Sequence, residues 1–319
     1  MSADLSVRVG PLALRNPVMV ASGTFGYGDE FADIYDPATL GAIVTKGVSL
    51  RPRAGNAPPR ITETPAGMLN SIGLENPGLD GFLRDKLPLY DEIDTAIVVN
   101  IFGETMEEYA ELAARLTGAR HIAGLELNIS CPNVKCGGME FGKDPATIEK
   151  VVGMVRAATT LPVLVKLSPN VSDVGAVARA AEAGGADALC LVNTLQGMAI
   201  DVRTRQPKIR TIAGGLSGPA IRPIAVHQVH TAKKAVKIPI VGMGGIQTAD
   251  DAVEFFLAGA SAIQVGTANF RDPLAPIEIL EALPGYLERY GMTSIGELCG
   301  AMLPLPAPAE QVATAVKSV

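Results

Sequence analysis

Lys46, Asn100, Asn128, Lys166, Asn193 with Thr194, and Ser22 each stand at or just after the end of a short apolar run, and two further runs end in Gly244–Gly245 and in Gly266–Thr267. If those runs are parallel strands, their carboxyl ends share one mouth, where active sites of closed α/β barrels lie. The set offers neutral amides and two ammonium groups but no cluster of carboxylates, so it does not suit a hard metal ion, which wants anionic oxygens. An Asn side chain carries a donor pair and an acceptor, matching a planar heterocycle whose edge alternates N–H and C=O, and an ammonium stabilises negative charge developing on such a ring. A flavin or a pyrimidine has that edge. The glycine turns offer bare backbone N–H groups where barrels commonly hold a phosphate, and a flavin mononucleotide satisfies both halves of the pattern. Asn is also common in turns for purely structural reasons; the set, more than any one member, argues for a site.

A proton acceptor must come from elsewhere, because His121 precedes a strand and His227 and His230 fall within an outer helix. Cys131 is the candidate, on the segment Glu126–Asn133 just beyond Asn128, with Pro132 after it and Gly137–Gly138 soon following. A thiol with an ordinary pKa of about 8.5 serves as a base near neutrality where its surroundings favour the thiolate. Cys190 and Cys299 read as small buried hydrophobes. The four cysteines include no C-x-x-C pair, which argues against a disulfide framework, an iron–sulfur cluster or a zinc site. Neither G-x-G-x-x-G nor a Walker pattern is present.

Eight Val-, Ile- and Ala-rich runs recur along the chain, near residues 17–22, 42–48, 96–102, 124–130, 163–168, 188–194, 239–242 and 262–266. Most are followed by helical periodicity, at 106–117, 145–159, 174–183, 219–235 and 249–258. This pattern predicts a (β/α)8 TIM barrel in one domain spanning residues 1–319, with a Rossmann-like open sheet as the weaker alternative. Two long gaps, Ser49–Ala66 and Gly197–Gly215, follow strand ends and are expected to form lids, small hairpins or partner surfaces; Leu303–Glu310 reads as an extended arm. The 27 Lys and Arg against 33 Asp and Glu leave a net charge of −6 without a basic run, which argues against nucleic acid. Apolar runs are too short for a membrane span, so the mean hydropathy of +0.26 belongs to a large core. Met1–Gly10 lacks the layout of a secretory signal, and a cytoplasmic protein is expected.

Four segments taken together, Asn128–Asn133 (NISCPN), Thr45–Val48 (TKGV), Met68–Gly78 (MLNSIGLENPG) and Val241–Ile246 (VGMGGI), resemble class 1 dihydroorotate dehydrogenases, and the likeness runs from about Leu5 to Glu288. It implies oxidation of (S)-dihydroorotate to orotate on FMN, in pyrimidine synthesis. The family pattern makes Cys131 the base that removes the C5 proton, with the loop from Cys131 to about Gly142 closing over the substrate. It assigns Lys46, the turn Asn70, Ser71, Ile72, Gly73 and Leu74, Asn128, Asn193 and Thr194 to orotate, with Asn133 as an addition. It assigns Ser22, Lys46, Gly47, Asn100, Asn128, Lys166, Val192, Gly218, Gly244, Gly245, Gly266 and Thr267 to FMN. The membrane-bound class has an N-terminal membrane-associating extension and a Ser base, and with Cys131 at the base position the chain is expected to belong with the soluble types.

Between the two soluble types, the wording Gly67–Gly78 is similar to the NAD-linked one (class 1B). There electrons leave for a second subunit with FAD and a 2Fe–2S cluster, in a heterotetramer of two catalytic and two electron-transfer chains. The alternatives are a fumarate-linked class 1A homodimer, a barrel like that of dihydropyrimidine dehydrogenase, a phosphate-binding barrel isomerase without flavin, and a non-catalytic subunit that only docks a redox partner.

Overall fold

The computed structural model describes residues 3–129, 135–136, 139–140 and 142–305. Short runs of Val, Ile, Leu and Ala are buried on both faces, as parallel strands enclosed by helices must be. They pair in chain order as a closed barrel: β1 (Val18–Val20), β2 (Ala42–Val44), β3 (Ala96–Ile101), β4 (Ile122–Asn128), β5 (Val163–Lys166), β6 (Ala188–Leu191), β7 (Ile240–Met243) and β8 (Ala262–Val265). The ring closes where Ile263 pairs with Val18 and Val265 with Val20, which rules out the open sheet. Several expected strands overran the observed ones at their carboxyl ends. The reason is physical: Ser22, Lys46 and Asn193 have left the ladder and turned into the mouth.

Helices α1 (Met106–Leu116), α2 (Pro145–Ala158), α3 (Val174–Ala183), α4 (Arg222–Ala235) and α5 (Ala249–Ala258) fall where periodicity placed them. Side-chain caps start four of them. Thr105, Asp144, Asp173 and Thr248 accept from the N–H groups of Glu108, Thr147, Ala176 and Asp251, and Asp251 returns the favour as a capping box. A sixth helix, α6 (Ala275–Arg289), was not anticipated; Pro284 inside it is a residue that ordinarily ends a helix.

The barrel's lower end is plugged by an unanticipated hairpin, Val7–Val9 against Leu12–Leu14. Its Val9, Leu12 and Leu14 form one apolar cluster with the inward-facing Met19, Ala42, Val98, Leu164, Ala188 and Ala262. At the other end, the two long gaps contribute to a single antiparallel sheet, in the order Leu195–Met198, Ala213–Ser217, Gly67–Asn70, Ile61–Thr64. Among the described residues no helix is long and apolar enough to cross a membrane.

Candidate active site

Residues two apart on a strand share a face, so Glu126 and Asn128 of β4 both look into the barrel. Register brings Asn100 beside Glu126 and Lys166 beside Asn128. The Glu126 carboxylate is wholly buried. It accepts from Asn100 Nδ2 at 2.7 Å and from Gln264 Nε2 at 2.8 Å, and Lys166 Nζ lies 3.6 Å from it while donating to Ser22 Oγ at 3.2 Å. Asn100 Oδ1 and Gln264 Oε1 are buried without a hydrogen-bond partner. Cys190 adjoins this layer; burial first, and then the Glu126 charge, push its thiol well above the usual range, as expected for an inert buried cysteine.

Above this floor, Asn193 Nδ2 donates to Asn128 Oδ1 at 3.3 Å and the Thr194 N–H donates to Asn193 Oδ1 at 2.8 Å. The Asn128 carbonyl is held by the Tyr109 hydroxyl at 2.8 Å. The turn from Asn70 to Leu74 is braced from outside. Ser71 N–H donates to the Arg60 carbonyl, and Asn56 donates to the carbonyls of Ser71 and Ile72. Arg60 in turn pairs with Glu75 at 2.5 Å; Arg60 above all, with Lys46 adding, holds the Glu75 carboxyl below the ordinary glutamate range. Gly73 and Leu74 follow at φ +79° and +58°. Because the Ser71 N–H is already engaged, only the later amides of the turn remain to meet a ligand anion.

On the far side, Gly218 and Gly244 take φ of +96° and +120°, a region favouring glycine, and Thr267 Oγ1 donates to Ser217 Oγ at 2.8 Å. A single cavity of about 590 Å3 joins these parts, within the usual range of about 300–1,000 Å3 for small-molecule sites. Ser22, Lys46, Gly47, Asn70, Ser71, Ile72, Gly73, Leu74, Asn100, Asn128, Lys166, Val192, Asn193, Thr194, Gly218, Gly244, Gly266 and Thr267 all border it. Gly245 does not: it packs beneath the turn, where a Cβ would come within 2.8 Å of Arg222 Cβ and the Gly218 carbonyl. Cys131 and Asn133, with residues 132, 134, 137–138 and 141 of the loop from Cys131 to Gly142, lie outside the described residues.

Sequence reasoning passed over Gln264, Ser217, Gly215 and Asn56, which also border the cavity, and Glu126 beneath it. Glu126 carried a usable signal, being two residues before Asn128 on the same strand face. None of the three histidines borders the cavity; His121 instead meets Asp91 at 2.6 Å. The arrangement suits a planar ring that donates N–H to buried carbonyls and carries negative charge near Lys166, with an anionic group at the glycine turns.

A family model described as dihydroorotate dehydrogenase matches residues 4–287. The chain is 56% identical over 300 residues to a protein of Geotalea uraniireducens, covering 94% of this chain and 98% of the relative. It is 55% identical over 302 residues to one of Pelobacter propionicus, covering 95% and 99%, and 54% identical over 301 residues to one of Desulforamulus reducens, covering 94% and 99%. All three relatives carry the name dihydroorotate dehydrogenase B (NAD(+)), catalytic subunit.

Proposed function

The chain belongs to the dihydroorotate dehydrogenase family, and from that premise we propose that it is the FMN-holding catalytic subunit of an NAD-linked enzyme oxidising (S)-dihydroorotate to orotate in pyrimidine biosynthesis. Its electrons pass to a partner subunit with FAD and a 2Fe–2S cluster, in an assembly of two chains of each kind. The observation that carries this reading is one cavity bordered both by the Lys166 and Asn100 floor and by the Lys46, Asn128 and Asn193 set. The residues fit FMN. Two buried carbonyl oxygens lack a donor there, and the glycine turns leave room for a phosphate.

When bound, FMN supplies the acceptor for the hydride that leaves C6 of the substrate. Lys46 and the amides of Ile72, Gly73 and Leu74 pair with the substrate carboxylate, a charge-assisted contact that also fixes register. Asn70, Asn128, Asn193 and Thr194 read the donor and acceptor pattern of the pyrimidine edge. Cys131 Sγ takes the C5 proton as general base. Lys166 puts a fixed positive charge where negative charge grows. Gly218, Gly244, Gly266 and Thr267 hold the phosphate end.

The test is to mix the purified chain anaerobically with dihydroorotate, without partner or NAD, and follow the visible flavin absorbance by stopped flow. Bleaching is expected with dihydroorotate alone, with NAD reduced only after the partner is added. A colourless protein, or bleaching by dihydrouracil and not by dihydroorotate, would overturn the assignment.

A further inference from the structure

Among the described residues Glu126 is the one carboxylate in the barrel's polar floor, wholly buried, and it has no part in the mechanism above. A carboxylate offers only acceptors. Asn100 and Gln264 must therefore both present their NH2 groups to it, and the contacts at 2.7 Å and 2.8 Å show that they do. Each amide consequently turns its carbonyl away, and those two oxygens are the buried atoms left without a partner. Asn100 Oδ1 lies at the cavity's edge, where a Cβ on Gly47 would come within 2.9 Å of it, and Gln264 borders the same cavity. An unpartnered buried carbonyl is costly, and the single N–H of an oxidised flavin ring, shared between the two acceptors, lowers that cost. The same carboxylate faces Lys166 Nζ at 3.6 Å, tempering the positive charge presented to the ring.

Resting on the FMN reading above, we infer that Glu126 is a positioning residue for the cofactor: it orients the Asn100 and Gln264 carbonyls toward the ring as acceptors and, with its charge, disfavours the reduced, anionic cofactor. The floor thus selects a ring that donates N–H and sets how readily that ring accepts electrons.

The experiment is a spectroelectrochemical titration of the FMN-loaded wild type and the Glu126→Gln variant, with Kd for oxidised FMN measured beside it. A glutamine donates as well as accepts, so one neighbouring amide has to turn round, and the floor loses its negative charge. The expected result is oxidised FMN binding weakened about tenfold, and reduced FMN favoured over oxidised about tenfold more than in wild type, the effect of one nearby charge at partial screening. Glu126→Asp, which keeps the charge, should bring the reduced-to-oxidised preference back. A role in packing alone would lower Tm and leave that preference unmoved, and that outcome overturns the inference. If Glu126→Gln does not fold, Gln264→Met carries the test: it removes one acceptor, and FMN affinity equal to wild type overturns the inference. Wild type that holds no FMN fails the functional reading itself, a result visible before any variant is made.

Discussion

At the scale of single residues, the site divides by charge and by hydrogen-bond capacity. Lys166 and Lys46 both border the cavity, but only Lys166 is close to a buried carboxylate, so the two ammonium groups present different fields to what they meet. A base that works as a thiolate is active above its pKa and lost below it, so flavin reduction in the wild type should speed up as pH rises toward about 8.5, the ordinary thiol value. A flat profile in single-turnover data would remove Cys131 from the role. Replacing it by serine should slow reduction near neutral pH by about 10²- to 10⁴-fold while Kd for orotate stays close to wild type, because only a transition-state interaction is lost.

At the scale of elements, the inserted sheet matters more than its length suggests. Its strand Ala213–Ser217 pairs with Gly67–Asn70, and it approaches Thr194 so closely that a Cβ on Gly215 would fall 2.2 Å from Thr194 Oγ1. Gly215→Ala should therefore displace Thr194 and raise KM for dihydroorotate about tenfold, the loss of one hydrogen bond. FMN affinity is expected to hold, because the clash falls on Thr194, while Gly218 lies beyond the strand's end at Ser217 and Gly244, Gly266 and Thr267 follow barrel strands; a parallel loss of FMN would show that the whole sheet has shifted. The brace on the Asn70–Leu74 turn works in the same way. Asn56 and Arg60 border or flank it from the first gap, so the stretch leading into the strand Ile61–Thr64 positions residues of the site.

At the scale of the molecule, chemistry and stability occupy opposite ends of the barrel, as the fold commonly arranges. The lower end is closed by Val9, Leu12 and Leu14, far from the mouth. Leu14→Ala should cost about 3 kcal/mol, within the usual range for emptying a core leucine site, and lower Tm by several degrees in a melting experiment. Below that transition, FMN affinity and the flavin-reduction rate should match wild type. Loss of FMN from a variant that is still folded by circular dichroism would show that floor and mouth are coupled.

The sequence alone determined the barrel and most of its mouth. Parallel strands buried on both faces read as unbroken Val and Ile runs, and their common polarity sends Lys46, Asn100, Asn128, Lys166 and Asn193 to one end wherever their neighbours lie. Only the tertiary structure decided the rest. The Gln264 to Glu126 contact joins residues 138 apart in the chain, and the Asn70 to Gly215 contact joins residues 145 apart. No local period signals such pairs; the first exists because barrel closure brings β8 round to the layer that β4 also enters, and the second because strands from separate insertions pair in the sheet beyond the barrel. The hairpin under the barrel escaped for a related reason, since strands of three residues are too short to show alternation and are held by the cluster they plug. Local pattern set which residues look inward, and closure of the ring set which of them meet.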